Sequence, residues 1–310
     1  MNYLGIDVGG TNVKAGLTDE NGRILASASV LSEGISDADM FVALLRDLIR
    51  RVLREHGAAA ELGGIGVGIP GAVRDGRVLY TCHLPLSDLD LAPALRETFG
   101  VPVRLANDAD CAAAGEYLCG AGRSSRHFLA VTLGTGIGAG MILNGKLYTG
   151  AGFAGEAGHI TVRQNGRRCP CSRRGCWEQY ASASALARMA RDAMRRHPQS
   201  RIAAPDAKAV FDAAQEGDET ALSLCARYAE NIAAGLVSLI DLLHPEIVAL
   251  GGGVSAAPDE LLLNPVRSIA ERESYCRRVG LPAPAIVRAE LGNDAGVVGA
   301  ALLHRIVEAE

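Results

Sequence analysis

Each half of the chain opens with the same short pattern: an apolar strand, a glycine turn carrying threonine, and a second strand. It reads Leu4-Gly5-Ile6-Asp7-Val8-Gly9-Gly10-Thr11 near the N-terminus and Val131-Thr132-Leu133-Gly134-Thr135-Gly136-Ile137-Gly138 near the middle. Glycine leaves the turn without a Cβ, so successive backbone N–H groups stand open, and threonine adds a hydroxyl. Together they make a nest for phosphate. One such turn is ordinary hairpin chemistry. Two matched turns, with Gly251-Gly252-Gly253 following the apolar strand 246–250, point to nucleotide binding. The economical architecture is two similar halves facing a cleft, with a hinge near 115–125. Asp7, just before the first glycines, is placed to hold a cation or its water shell beside the phosphates.

The remaining patterns are those of an α/β protein. Residues 3–8, 13–18 and 23–30 read as strands, with Asn21-Gly22 as a hairpin turn. Phe41, Leu44, Leu45, Leu48, Ile49 and Val52 lie on one face of a helix that starts near Asp37 and stops at Gly57. Strand 64–69, a hairpin around Asp75-Gly76, helix 90–99 and strand 101–106 follow, and a small-residue helix begins near Asp108. A second strand pair occupies 128–150, turning at Asn144-Gly145; mostly helix is expected over 182–243, and a last helix from Asp294. Two better-known patterns are decoys. Gly66-Val67-Gly68-Ile69-Pro70-Gly71 fits a dinucleotide fingerprint, but Pro70 and the turn after it oppose the helix such a motif needs. Gly140 to Lys146 fits a P-loop, yet Leu147 stands where Ser or Thr must reach the metal.

Composition narrows the classes. Of the 310 residues, 48% are apolar, which excludes disorder, and the formal net charge of −4 leaves no global basic footprint for nucleic acid or an anionic membrane. The N-terminus has no secretory pattern and no apolar run is long enough to span a bilayer, so a cytoplasmic protein is expected. Its eight cysteines are then thiols or metal ligands.

Three of them join a histidine: His159, Cys169, Cys171 and Cys176 make H-x9-C-x-C-x4-C in a loop with Pro170 and Gly175. Three thiolates and one imidazole suit a closed tetrahedral Zn²⁺ site, and with every position taken by protein the metal is structural. Glu156 and Glu178 flank that loop, and metal anchoring would fix both carboxylates as acceptors for neighbouring hydroxyls. Arg167, Arg168, Arg173 and Arg174 surround the cluster without recognition-helix spacing or interleaved aromatics, which favours a solvated or phosphate-facing loop over a nucleic-acid surface. Asn107-Asp108 follows a strand and opens a helix. Asp108 is an N-cap or a general base with an amide neighbour that orients a hydroxyl. Asn293-Asp294 shows the same local pattern and reads as capping or nucleotide-side packing, so pattern alone does not separate the two.

Taken together these motifs resemble the ROK family (repressors, open reading frames and kinases) of sugar kinases. The matching stretches are Asp7 to Lys14, Gly68-Ile69-Pro70-Gly71, Asn107-Asp108-Ala109, Leu133 to Gly138, Gly155-Glu156-Ala157-Gly158-His159, the cysteine loop through Glu178, and Leu250 to Val254. The resemblance implies a two-domain, actin-like ATPase and ribonuclease-H-like fold, with a smaller domain over 1–118, a larger one over 119–292 carrying the zinc loop 159–178, and a C-terminal helix 293–310 packing back on the first. It implies a kinase using ATP and Mg²⁺. Asp108 would take the proton from a sugar hydroxyl, while Asn107, Glu156, His159 and Glu178 would hold other hydroxyls, His159 also ligating zinc. Asp7, Gly9, Gly10, Thr11 and Lys14, with Gly134, Thr135, Gly136 and Gly138, would cradle the phosphates; Gly251, Gly252 and Gly253 would lie against the adenosine.

Two positions depart from the family pattern. His83 stands where asparagine is common before Leu84-Pro85, which bears on sugar preference, and Ser172 stands where glycine often follows the second cysteine. The repressor branch carries an N-terminal DNA-binding segment; here the first phosphate loop begins at residue 7, and none is expected. The expectation is an ATP-dependent hexose kinase, glucokinase-like, acting on the 6-hydroxyl of an aldohexose as a homodimer or homotetramer. An N-acetylhexosamine kinase, for N-acetylmannosamine or N-acetylglucosamine, and a non-catalytic sugar and ATP sensor are the alternatives.

Overall fold

The computed structural model describes residues 1–57, 62–81 and 84–307; His83 lies outside them. The chain divides into two compact units. The first comprises Met1–Ala130, Gly140–Gly155 and Glu290–Glu310, the second Val131–Ala139 and Glu156–Ala289.

The first unit is built on a five-stranded sheet. Strands β1 (Asn2–Val8), β2 (Asn12–Thr18) and β3 (Ile24–Leu31) form an antiparallel meander, and α1 (Ala38–His56) packs on it. The helix begins where expected because the Asp37 carboxylate accepts a hydrogen bond from the Met40 amide at 2.8 Å. It ends at Gly57, whose φ of 70° only glycine adopts without strain. Phe41, Leu45, Leu48, Ile49 and Val52 form its buried face. Strand β4 (Leu62–Ile69) then pairs parallel with β1, with Asp7 opposite Gly68.

The next stretch runs straight into β5 (Gly71–Arg74), β6 (Arg77–Thr81) and β7 (Ser87–Leu89), a small antiparallel sheet. No helix follows the Gly66–Gly71 pattern, as Pro70 requires. Helix α2 (Leu91–Phe99) returns the chain to β8 (Val103–Asn107), which pairs parallel with β4 and completes the sheet order β3-β2-β1-β4-β8. Helix α3 (Asp108–Cys119) starts directly at its end.

A second five-stranded sheet has the order β11-β10-β9-β12-β13, formed by β9 (Phe128–Leu133), β10 (Ile137–Leu143), β11 (Lys146–Leu147), β12 (Ile247–Gly251) and β13 (Ala285–Arg288). The helical stretch resolves into α4 (Glu178–Ala181), α5 (Ala183–Arg196), α6 (Ala207–Gln215) and α7 (Glu219–Leu243), followed by α8 (Leu263–Glu273). Helix α7 is the axis of the second unit, burying Leu224, Tyr228, Ile232, Leu236 and Ile240 along one stripe. Among the described residues no helix is long and apolar enough to cross a membrane.

The last helix, α9 (Ala295–Leu302), is buried at every position and packs on α3, β1 and β4 in the first unit. Small residues permit this approach: a Cβ at Gly299 would lie 1.7 Å from the Cys111 carbonyl oxygen and 2.5 Å from the Gly115 nitrogen. Both are backbone atoms, so neither can rotate away. Gly299→Ala is expected to cost about 2–3 kcal/mol, the upper range for overpacking, read as a lower urea midpoint. An unchanged midpoint would show that α3 and α9 can part without penalty.

Candidate active site

In the first unit the site residues gather at one edge of the parallel strands. β1, β4 and β8 run in the same direction, so Asp7 and Asn107-Asp108 emerge at the same ends with β4 between them. Two strand spacings separate their backbones, about 10 Å. Gly9, Gly10 and Thr11 form the β1–β2 turn, closed by the Gly9 amide donating to the Asn12 carbonyl at 2.8 Å. Ser32, at the end of β3, braces that turn twice. Its hydroxyl donates to the Gly9 carbonyl and its amide to the Thr11 carbonyl, both at 2.9 Å. Gly10 and Thr11 also line a cavity of about 390 Å³ with Ser32, Glu33, Leu84 and Pro85. Ser32 and Glu33 belong to no recognisable motif, and only the tertiary pairing of β2 with β3 brings them here.

Asp7 faces Lys14 across the β1–β2 ladder. Burial pushes the Asp7 carboxyl above its ordinary value, and the Lys14 charge pulls it back. A Cβ at Gly296 would stand 2.6 Å from Asp7 Oδ2, so a side chain at residue 296 would displace the carboxylate that the start of α9 now covers. Lys14 is ion-paired with Asp294. Asp294 makes no capping bond, so the capping role is corrected: its carboxylate is taken by lysine. A half-buried carboxylate of raised pKa beside a phosphate-type turn is a donor suited to a hard divalent cation such as Mg²⁺, which would replace lost hydration with charge.

The Asn107-Asp108 pair now divides into two roles. Asn107 is the N-cap of α3: its Oδ1 accepts from the Ala109 amide at 2.8 Å while its Nδ2 donates to the Gly71 carbonyl at 3.1 Å. Asp108 is the first residue of the helix proper, and one oxygen, Oδ1, also accepts from the Ala109 amide at 3.0 Å. Asn107 thus supplies the N-cap, and Asp108 stands in the first turn of α3.

In the second unit, Gly134, Thr135 and Gly136 form the β9–β10 turn, while Gly138 lies within β10 and its carbonyl accepts from the Thr132 hydroxyl at 3.3 Å. The Gly134 carbonyl accepts from the Ala183 amide at 2.8 Å, which ties the turn to the start of α5. Glu178 reaches the same turn, since a Cβ on Gly136 would lie 2.9 Å from its Oε2. Gly252, with φ of 82°, folds against Leu133, placing the Gly251–Gly253 segment beside the turn as well.

The cysteine loop converges on the same region. His159, Cys169, Cys171 and Cys176 bring one ligand atom each within 4.8 Å of one another. Cys169 Sγ lies 3.7 Å from His159 Nδ1, and Cys171 Sγ lies 3.6 Å from Cys176 Sγ. Tetrahedral zinc with Zn–S bonds of about 2.3 Å requires ligand separations of about 3.8 Å, so the four residues fit the ion. Ser172, at φ of 69°, makes the left-handed turn after the second cysteine. Nδ1 faces the sulfurs and Nε2 faces outward, 3.9 Å from Glu156 Oε2. Glu178 Oε1 accepts from the Cys169 thiol at 3.0 Å, and burial together with that bond pushes the thiol up. Glu156, His159 and Glu178 therefore stand side by side.

Paired glycine–threonine turns on strand pairs of two α/β units define an actin-like ATPase with the ribonuclease-H-like fold. The ROK family pattern matches residues 3–306, and the chain belongs to that family. Glucokinase from Halalkalibacterium halodurans is 35% identical over 309 residues, spanning 96% of this chain and 93% of that protein. N-acetyl-D-glucosamine kinase from Escherichia coli O1:K1 is 31% identical over 316 residues, spanning 97% and 99%. The crystal structure of a ROK family glucokinase from Streptomyces griseus, in complex with glucose and AMPPNP, matches with a TM-score of 0.81 at 33% identity, covering 97% of this chain and 98% of that one.

Proposed function

We propose that this ATP-dependent sugar kinase transfers the γ-phosphoryl group of ATP to the 6-hydroxyl of a glucose-like aldohexose, with Asp108 as the general base. The observation that supports the reading is the arrangement at the end of β8, where Asn107 caps α3 and Asp108 opens that helix at the strand edge shared with Asp7.

Phosphoryl transfer asks little covalent chemistry of a protein; positioning and charge neutralisation do most of the work. The first turn, shaped by Gly9 and offering Gly10 and Thr11 with Lys14, would hold phosphate oxygens, and so would the second turn through Gly134, Thr135, Gly136 and Gly138. Gly251, Gly252 and Gly253 give the adenosine a surface without side chains. Asp7 would hold Mg²⁺ or its water shell, which supplies neutralisation of phosphate charge when bound. Asp108 accepts the proton of the attacking hydroxyl. Asn107, Glu156, His159 Nε2 and Glu178 take the remaining sugar hydroxyls.

His159, Cys169, Cys171 and Cys176 would hold Zn²⁺, which supplies a rigid frame for the loop. A metal-bound thiolate would have no proton to donate, so Glu178 Oε1 would exchange the Cys169 hydrogen bond for a sugar hydroxyl while keeping the one it accepts from Gln179. The 35% identity to a glucokinase favours glucose, and the 31% identity to an N-acetyl-D-glucosamine kinase supports an N-acetylhexosamine as the second reading. A coupled assay for ADP release with glucose, mannose, fructose, allose, N-acetylglucosamine and N-acetylmannosamine decides between them. Glucose is expected to give the highest kcat/KM. A preference for an acetamido sugar would replace the first reading, and no turnover with any sugar while ATP and sugar still bind would favour a sensor.

A further inference from the structure

The arginines around the cysteine loop are not used by the kinase reading. Between His159 and Arg196 the chain carries nine arginines, no lysine and only two acidic residues, Glu178 and Asp192, although its overall formal charge is −4. Elsewhere arginines such as Arg77, Arg123 and Arg288 are ion-paired with carboxylates. Among the described residues, none of these nine is. Their anchors are neutral instead. Arg173 donates to the Thr161 hydroxyl at 3.1 Å and Arg174 to the Gly166 carbonyl at 3.3 Å.

Four of them, Arg163, Arg167, Arg188 and Arg191, gather around α4 and the first turns of α5. Arg188 is partly buried and donates to the Gln179 carbonyl at 2.7 Å. Arg167 is held close by through its backbone amide, which donates to the Tyr180 hydroxyl at 2.7 Å, and Arg163 covers the Tyr180 ring. Arg191 lies one turn along α5 from Arg188 and is exposed. Burial pulls the Arg188 guanidinium below its ordinary range and the charges of Arg167 and Arg191 act the same way, against Glu178 and Asp192. Like charges gathered on neutral anchors cost Coulomb energy that a bound anion returns. Each guanidinium spends few of its five N–H groups on the protein, and the rest form the forks that match phosphate oxygens.

We propose that Arg167, Arg188 and Arg191 form a binding site for a multiply charged phosphate anion, outside the groups assigned to ATP and sugar. The site communicates with the sugar half-site by a short path. Arg188 is bonded to Gln179, and Gln179 Nε2 donates to Glu178 Oε1 at 3.2 Å. Occupancy that draws Arg188 toward an anion loosens Gln179 and is felt at Glu178.

The test is calorimetric titration of the full chain, saturated with ADP so that the phosphate turns are filled, with inorganic phosphate and with tripolyphosphate at constant ionic strength. Saturable binding is expected, and its affinity falls about tenfold in Arg191→Gln and in Arg167→Gln, as loss of one charge-assisted contact implies. Circular dichroism checks that the exposed substitution leaves the fold intact. Binding of tripolyphosphate but not phosphate identifies a chain anion as the ligand; binding of both identifies a single phosphate group. Equal affinity in the parent and both variants, or a response that never saturates, overturns the site. So does binding of poly-glutamate with none of either phosphate, which would mark a surface for acidic protein.

Discussion

Replacing Asp108 with alanine is expected to lower kcat by about 10²–10⁴-fold, the range for loss of a positioned general base, while sugar affinity changes little. The local geometry makes this a clean test. Asn107 supplies the N-cap of α3, so the helix keeps its capping bond to Ala109 when the neighbouring carboxylate is gone. The loss should therefore fall mainly on kcat, with circular dichroism reporting that α3 is retained. Asp108→Asn keeps size and hydrogen bonding but cannot accept the proton as a carboxylate does, and should lose nearly as much. Steady-state kinetics with a calorimetric sugar titration separates the terms: near-normal turnover in the alanine variant removes Asp108 from the base role.

The second large effect is expected at the cysteine loop. The purified protein should contain about one zinc per chain, and Cys176→Ala should abolish metal retention. Structural zinc supplies apparent binding energies on the order of 10 kcal/mol in small domains. Losing it should release a segment whose own order is otherwise held by short bridges, such as Thr161 with Cys176 and Arg168 with Arg174. Because His159 and Glu178 are positioned through that loop, the sugar KM should rise by about 100-fold, at the upper end of what even outer partners of a metal site contribute. A metal-free, fully stable protein with unaltered sugar KM would end the zinc assignment.

How much of this was visible in the residues depends on how local the cause is. Helix α1 was legible because Asp37, the apolar spacing and Gly57 each act within a few residues. The cysteine quartet was legible because thiolate and imidazole spacing encodes coordination, and the structure brings the four ligand atoms together. Asn107-Asp108 and Asn293-Asp294 look alike in sequence; one asparagine caps a helix while the second aspartate pairs with Lys14, 280 positions away. That partner is chosen by the packing of α9 over β1 and β2, which no short window contains. The Ser32 brace depends likewise on β3 ending beside the first glycine turn. Helix α8 has no side-chain cap, and β13 is a four-residue strand that follows Pro282 and Pro284, so neither offers the periodicity on which a reading relies.

The burial of α9 also bears on the order in which the protein can be made. Residues 1–130 emerge from the ribosome long before 290–302, yet Gly5, Gly66 and Gly115 are shaped to receive backbone of that last helix. Until it arrives, the nascent first unit exposes the apolar floor of β1 and β4 and the flank of α3, the kind of surface that invites aggregation or chaperone capture. The second unit has no such debt, since its segments are complete by residue 289. Synthesis thus delivers the second unit's segments before the first unit is complete, and the phosphate turn nearest the N-terminus is finished by residues 294–296, translated after all of them.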